Sequence, residues 1–334
     1  MFHPERAAFF RTIVSYLLAF IPPGLLAQTA LDDVHIVPRD KSIVVATAAY
    51  PGNHASGELI RTNVDLVLVP VSITDQMLRP IVGLSRENFE LFENKKPQEI
   101  KHFLNEDTPI SVGILVDTSG SMSYKLDRAR DAITQFCESA NPQDEFFMIT
   151  FADVPRLTTD FTTRVEDIEH DLLSVRSRGE TALLDAIYMA IRKVRSARYG
   201  RKALLIISDG GDNHSRYTER EVKSAIKEAD VMIYAVGTFE RQVSTQEERL
   251  GPDLLNAVAD LTGGMAFTLT NANDMPSVTR AIGNQLRHQY VLAYKPQSAS
   301  HGGKWHKIKV KLRLPKKLPF MRVDARPGYY SDAE

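Results

Sequence analysis

Cysteine is almost absent. The chain of 334 residues holds one, Cys137, so no intrachain disulfide forms and nothing like a Cys/His zinc site exists. Cys137 sits in Ile133-Thr134-Gln135-Phe136-Cys137, on a predicted helix, and reads as a small buried apolar residue. An excess of charge of either sign is also missing. The net charge of −1 leaves no reason to propose nucleic acid or an anionic membrane surface as partner. The usual enzyme signatures are lacking as well. No serine stands in a Gly-x-Ser-x-Gly elbow. Gly302-Gly303-Lys304 has neither the spacing nor the following hydroxyl of a phosphate loop, and no His-Glu-x-x-His occurs. His301 and His306 flank Trp305 in a polar turn and read as solvated, with a metal pair as the alternative. Hydrophobic content of 43% and charged content of 25% are ordinary for a globular chain, and this length implies two domains or one large one.

Long apolar runs are confined to the start. His3, Arg6 and Arg11 precede an apolar stretch, Thr12 to Ala27, broken at Pro22-Pro23-Gly24. The uninterrupted run of about 16 residues is short for a spanning helix and fits a secretory signal. Residues 1–27 are therefore expected to be removed after Ala27, which places the protein in the periplasm or outside the cell with no span left. Retention as an anchor is the alternative. Residues 28–60 read as linker, with one short strand at Ser42–Ala46 and a turn-rich end.

What is present is a strand pattern interrupted by strand–helix alternation. Residues 61–107 contain three predicted strands: a first centred on Val67–Ile73 and apolar on both parities, then Asn88–Asn94 and Glu99–Phe103, with Asn94-Lys95-Lys96-Pro97 as a turn. Residues 108–288 alternate. Strands are expected at Ser111–Val116, Glu145–Phe151, Leu157–Phe161 (an edge), Ala203–Ile207, Val231–Val236 and Met265–Leu269. Helices are expected at Leu126–Ser139, Val165–Val175, Ala182–Val194, Glu219–Ala229, Pro252–Leu261 and Met275–Arg287. That order implies an α/β, doubly wound, Rossmann-like and mainly parallel sheet, whose ligands bind at the carboxyl ends of the strands. Residues 240–249, charged and without an apolar stripe, read as a solvated loop on that face. Residues 289–334 return to strands at Tyr290–Tyr294, Trp305–Leu312 and Phe320–Ala325. Neither flank buries enough to stand alone, so the two are expected to pair into one small β-sandwich around the middle domain. Two separate β units are the alternative.

The middle domain carries the chemistry. In Ile114-Leu115-Val116-Asp117-Thr118-Ser119-Gly120-Ser121-Met122-Ser123 an apolar run stops on a carboxylate, and hydroxyls follow at alternate positions. Thr181 opens a predicted helix, and Asp209 ends the apolar run Leu204–Ser208. Oxygen ligands of this kind suit a hard divalent cation. Asp117-x-Ser119-x-Ser121, then Thr181, then Asp209, resembles the metal-ion-dependent adhesion site of von Willebrand factor A domains, and all five positions match.

The resemblance covers residues 108–288, and the flanks resemble those of a bacterial secreted group in which such a domain interrupts a β-sandwich. It implies magnesium as the ion, with manganese or calcium as alternatives. Ser119, Ser121 and Thr181 would bind directly, and Asp117 and Asp209 largely through water. A cation so under-neutralised accepts one more carboxylate, from an Asp or Glu of a protein or peptide partner. Gly120, Gly210 and Gly211 would let backbone approach the ion. Asp185, Asp212 and Asn213 are expected to support the ligands. Tyr124, Lys125 and His214 are candidates for the partner-binding rim. The expected function is non-enzymatic, metal-dependent protein binding in adhesion or assembly. The alternatives are an envelope-assembly module whose metal only stabilises it, and a metal-assisted hydrolase, for which no general base or nucleophile is seen beside the ion.

Overall fold

The computed structural model describes residues 66–105, 107–209, 211–239, 246–296, 303–313 and 321–331. The expected signal segment, the linker with its short strand, and Gly210 lie outside the described residues. Among those described, no helix is long and apolar enough to cross a membrane.

The first flank contributes β1 (Val67–Thr74), β2 (Phe89–Glu93), β3 (Lys96–Gln98) and β4 (Ile100–Leu104). This is one strand more than expected. The predicted four-residue turn is only Asn94-Lys95, both with positive φ, at 48° and 69°, and Glu93 pairs directly with Lys96 across it. Two-residue hairpins of this twist need positive φ at both central positions, which asparagine tolerates and lysine resists. Lys95→Gly is therefore expected to stabilise the chain by about 0.5–1 kcal/mol, read as a rise in the urea midpoint at unchanged slope. An unchanged or lower midpoint would show that Lys95 is not strained.

The middle of the chain runs β5 (Ser111–Asp117), α1 (Leu126–Glu138), β6 (Glu145–Phe151), β7 (Pro155–Thr162), α2 (Val165–Ser174), α3 (Leu183–Val194), β8 (Lys202–Ser208), α4 (Glu219–Glu228), β9 (Met232–Thr238), α5 (Gln246–Asp260), β10 (Met265–Leu269) and α6 (Met275–Arg287). The six strands lie in the order β10-β9-β8-β5-β6-β7. All neighbours are parallel except β7, the antiparallel edge. Alternation along β5 divides the core. Val112, Ile114 and Val116 join Ala129, Ile133, Phe136 and Ile282 on one face. Leu115 joins Ile187, Ile191, Val222 and Leu255 on the other.

Helix α5 begins six residues before the expected start, with Pro252 inside it. Residues 246–251 are thus helical rather than loop. They present no apolar stripe, and Leu250 is exposed; the intrinsic helix preference of Gln, Glu, Arg and Leu accounts for the turn that periodicity misses.

The second flank supplies β11 (Tyr290–Tyr294), β12 (Trp305–Leu312), β13 (Arg322–Ala325) and β14 (Gly328–Tyr330), the last not foreseen. The flanks interleave. One sheet has the order β13-β1-β11-β4 and the other β14-β12-β2-β3. Inward residues from both, including Val69, Val71, Phe89, Leu91, Leu292, Tyr294 and Ile308, share one core. The opposite parity of β1 meets the middle domain. Gln289 Nε2 donates to Ser72 Oγ at 3.2 Å and to the Tyr234 hydroxyl at 3.3 Å. A cavity of about 40 Å³ at this seam is lined by Leu68 and Pro70 with Arg201, Met232 and Gln289. That second contact is why β1 is apolar on both faces.

Candidate metal centre

Strands β5 and β8 are neighbours, yet the chain leaves β5 toward β6 on one side and continues from β8 to β9 on the other. A crevice opens outside the carboxyl ends at such a reversal. Asp117 is the last residue of β5, and Asp209 directly follows β8. Both are buried, Asp117 completely.

Asp117 is held from two sides. Its Oδ1 accepts from the Ser119 N–H at 2.9 Å, and its Oδ2 accepts from the Ser208 hydroxyl at 2.5 Å. Burial, first, and the neighbouring Asp209 charge, second, push its carboxyl well above the ordinary carboxylate range. A cation relieves that strain. Ser119 and Ser121 lie on the turn after β5, and their hydroxyl oxygens are 3.0 Å apart.

Main-chain bonds stitch the loops together. Gly120 N–H donates to Gly179 O at 3.0 Å, and Arg178 N–H to Thr118 O at 2.8 Å. Gly179 has φ +84°, and a Cβ there would stand 2.6 Å from Asp153 Oδ1, which also accepts from the Glu180 N–H at 2.8 Å. The positive φ favours glycine here, and an added Cβ would also push the Asp153 carboxylate aside. At Gly120 the nearest atom to an added Cβ is Gly179 O at 3.5 Å, an ordinary contact, so protein packing does not itself demand glycine there.

Thr181 is buried before α3. Its carbonyl accepts from the Asn213 and His214 N–H groups, both at 3.1 Å, and its N–H donates to Asn213 Oδ1 at 2.8 Å. Asp212 Oδ2 accepts from Leu184 N–H at 2.7 Å and from the Ser215 hydroxyl at 2.7 Å, capping the first turn of α3 from another loop. Asp185 Oδ1 accepts from Arg216 and Tyr217 N–H at 2.9 and 3.0 Å. Asp185, Asp212 and Asn213 therefore brace the two loops. His214 is exposed, as is Tyr124.

Lys125 is not on the rim. Its side chain is 7% exposed, and Nζ lies 3.3 Å from Asp209 Oδ2 and 3.4 Å from Thr238 O. The expectation of a partner-facing lysine is corrected by this inward turn: a buried carboxylate needs a counter-charge, and Lys125 is within reach. Sequence reasoning also passed over Ser208, Asp153, Ser215 and Thr238. Ser208 had a signal, a lone hydroxyl ending an otherwise aliphatic strand, which a buried position obliges to find a partner.

The donor set is all oxygen, three hydroxyls and two carboxylates, and suits a small hard cation. Among the described residues no group of three or more His, Cys, Asp or Glu is placed to hold a metal, so an ion here depends on the hydroxyls. The buried, mutually repelling Asp117 and Asp209 fit such an ion.

Residues 112–211 match the family model described as von Willebrand factor type A domain. Inter-alpha-trypsin inhibitor heavy chain H4 of Bos taurus is 27% identical over 116 residues, covering 31% of this chain and 13% of that protein. The chain thus matches only about an eighth of that relative's length. Among solved structures, a von Willebrand factor type A protein from Catenulispora acidiphila is 12% identical, with a TM-score of 0.48, over 82% of this chain and 75% of that one. The BatB protein of Bacteroides thetaiotaomicron is 20% identical, with a TM-score of 0.43, over 53% and 98%. The chain contains a von Willebrand factor type A domain, α/β in class, with a central mixed sheet of mostly parallel strands between helices.

Proposed function

We propose that this domain binds a protein or peptide partner through a divalent cation, with magnesium the leading ion. The observation that carries the reading is the pair of buried carboxylates, Asp117 and Asp209, at the strand reversal beside Ser119, Ser121 and Thr181. Ser119, Ser121 and Thr181 would hold the ion through their hydroxyls, and Asp117 and Asp209 would neutralise it from behind. When bound, magnesium supplies a Lewis-acidic point that accepts a carboxylate oxygen. The chain's own part is orientation. Ser208 and the Ser119 N–H fix the Asp117 carboxyl, and Asn213 holds the Thr181 backbone. Exposed Tyr124 and His214 offer contacts around the opening.

The role is binding rather than catalysis. Both Asp117 oxygens already accept hydrogen bonds, and Lys125 is engaged by Asp209, so these groups are committed to holding the site. The flanking sheets serve as a β-sandwich that carries the domain, and the protein works outside the cytoplasm.

The test has two stages. Calorimetric titration of magnesium into the purified chain should show saturable binding. Immobilised peptides presenting Asp or Glu should then retain the protein in magnesium but not in chelator, and their Asn or Gln counterparts should not retain it. Saturable metal binding with no carboxylate-dependent retention would instead favour an assembly module stabilised by its ion. Absence of metal binding at millimolar magnesium would remove the reading.

A further inference from the structure

Lys125 is the unexpected member of the metal centre. It immediately precedes α1, two residues beyond Ser123, in a stretch expected to face solvent. Its ammonium instead reaches Asp209, 84 residues away, and the carbonyl of Thr238, 113 residues away, at the end of the next strand. Both members of the ion pair are under a tenth exposed, at 7% and 6%. Exposed Tyr124 stands over it, with Nζ 5.2 Å from the ring centroid. Beside it the Thr238 hydroxyl is buried with no partner among the described residues.

We infer that Lys125 is a counter-cation built into the metal centre: it neutralises Asp209 when no metal is bound and thereby weakens the affinity for a divalent ion. This rests on the metal-binding reading above. The physical argument is one of charge. Asp209 is a buried carboxylate and needs a positive group near it. In the metal-free chain the ammonium is that group. An arriving divalent ion must displace the ammonium from Asp209 or share Asp209 with it, and repulsion opposes either course. The same arrangement keeps Asp209 tethered away from close ligation, which leaves a bound ion short of negative charge and receptive to a carboxylate from outside. A lysine at this point thus exchanges metal affinity for a folded metal-free state.

The experiment compares the parent chain with Lys125→Met, of similar length and without charge, and with Lys125→Arg, which keeps the charge. Magnesium is titrated calorimetrically into each, and each is melted in chelator and in magnesium. Lys125→Met is expected to bind magnesium about tenfold or more tightly. It should melt several degrees below the parent in chelator and recover the difference in magnesium. Lys125→Arg should stay close to the parent in both readouts. Magnesium binding by the parent, with an affinity unchanged in Lys125→Met, overturns the inference and leaves the site reading standing. No binding by either chain overturns both. If Lys125→Met does not fold, the double variant Lys125→Met/Asp209→Asn decides. Recovery of a folded chain once both charges are gone supports the pairing, and continued unfolding shows that Lys125 serves packing alone.

Discussion

Asp117→Asn is expected to abolish magnesium binding and leave the chain folded. The two effects separate because the side chain has two tasks. Its charge serves the cation, and its shape and polarity serve the Ser119 N–H and the Ser208 hydroxyl, at 2.9 and 2.5 Å. Asparagine keeps the second task. Its carbonyl accepts from the Ser119 N–H, and its amide donates to a Ser208 hydroxyl that turns to accept. The first task is lost outright. Affinity for magnesium should fall by at least about a hundredfold.

Metal-free stability should hold or rise, by about 1 kcal/mol at most, because the buried charge and its repulsion with Asp209 disappear. Asp117→Ala is the instructive contrast. It removes the charge and also takes away the acceptor of the buried Ser119 N–H, at a cost of about 1–3 kcal/mol. Calorimetric titration and melting curves, with and without magnesium, check all three chains. An asparagine variant that binds magnesium like the parent would show that Asp117 does not belong to the metal centre.

Gly263→Ala should be the most destabilising single-methyl change along the seam between the middle domain and the flanks. Gly263 turns the chain from α5 into β10 at φ +76°, a conformation that costs an alanine about 1–2 kcal/mol. Space adds to the penalty. A Cβ on Gly263 would stand 2.2 Å from the carbonyl carbon of Ala325 and 2.4 Å from the Arg326 nitrogen. Those are main-chain atoms of the second flank, at the end of β13, and cannot turn aside as a side-chain end would. Overpacking of this kind adds about 1–3 kcal/mol, so a total of about 3 kcal/mol and a melting point lower by roughly 5 °C are expected. Thermal and urea unfolding provide the check. A variant that melts with the parent would mean that the flank does not press on this turn, and the contact between β13 and the α5–β10 corner would have to be withdrawn.

The sequence carried the middle domain well wherever local pattern was enough. Aliphatic runs in β5 and β8 are buried on both faces, as parallel strands must be. Each stops at a carboxylate because the next position leaves the sheet. The stripes of α1, α3 and α6 follow from one-sided packing on that sheet. Where a segment lacked such a pattern, expectation failed. The first turn of α5 has no apolar stripe in its sequence, and β3 and β14 are three residues each, too short to alternate visibly.

The sequence by itself determined the parallel sheet, the order of its helices, and the oxygen-rich residue set at its carboxyl edge, since each of these is written in spacings of a few residues. Only the tertiary structure decided that Lys125 turns inward to Asp209, that Ser208 holds Asp117, that Asp153 supports the Thr181 loop from beneath Gly179, and that β1 lies between β11 and β13. Those outcomes depend on which buried charge or unpaired strand edge comes within a few ångströms after the chain closes on itself, and partners tens to hundreds of residues apart leave no local pattern to read.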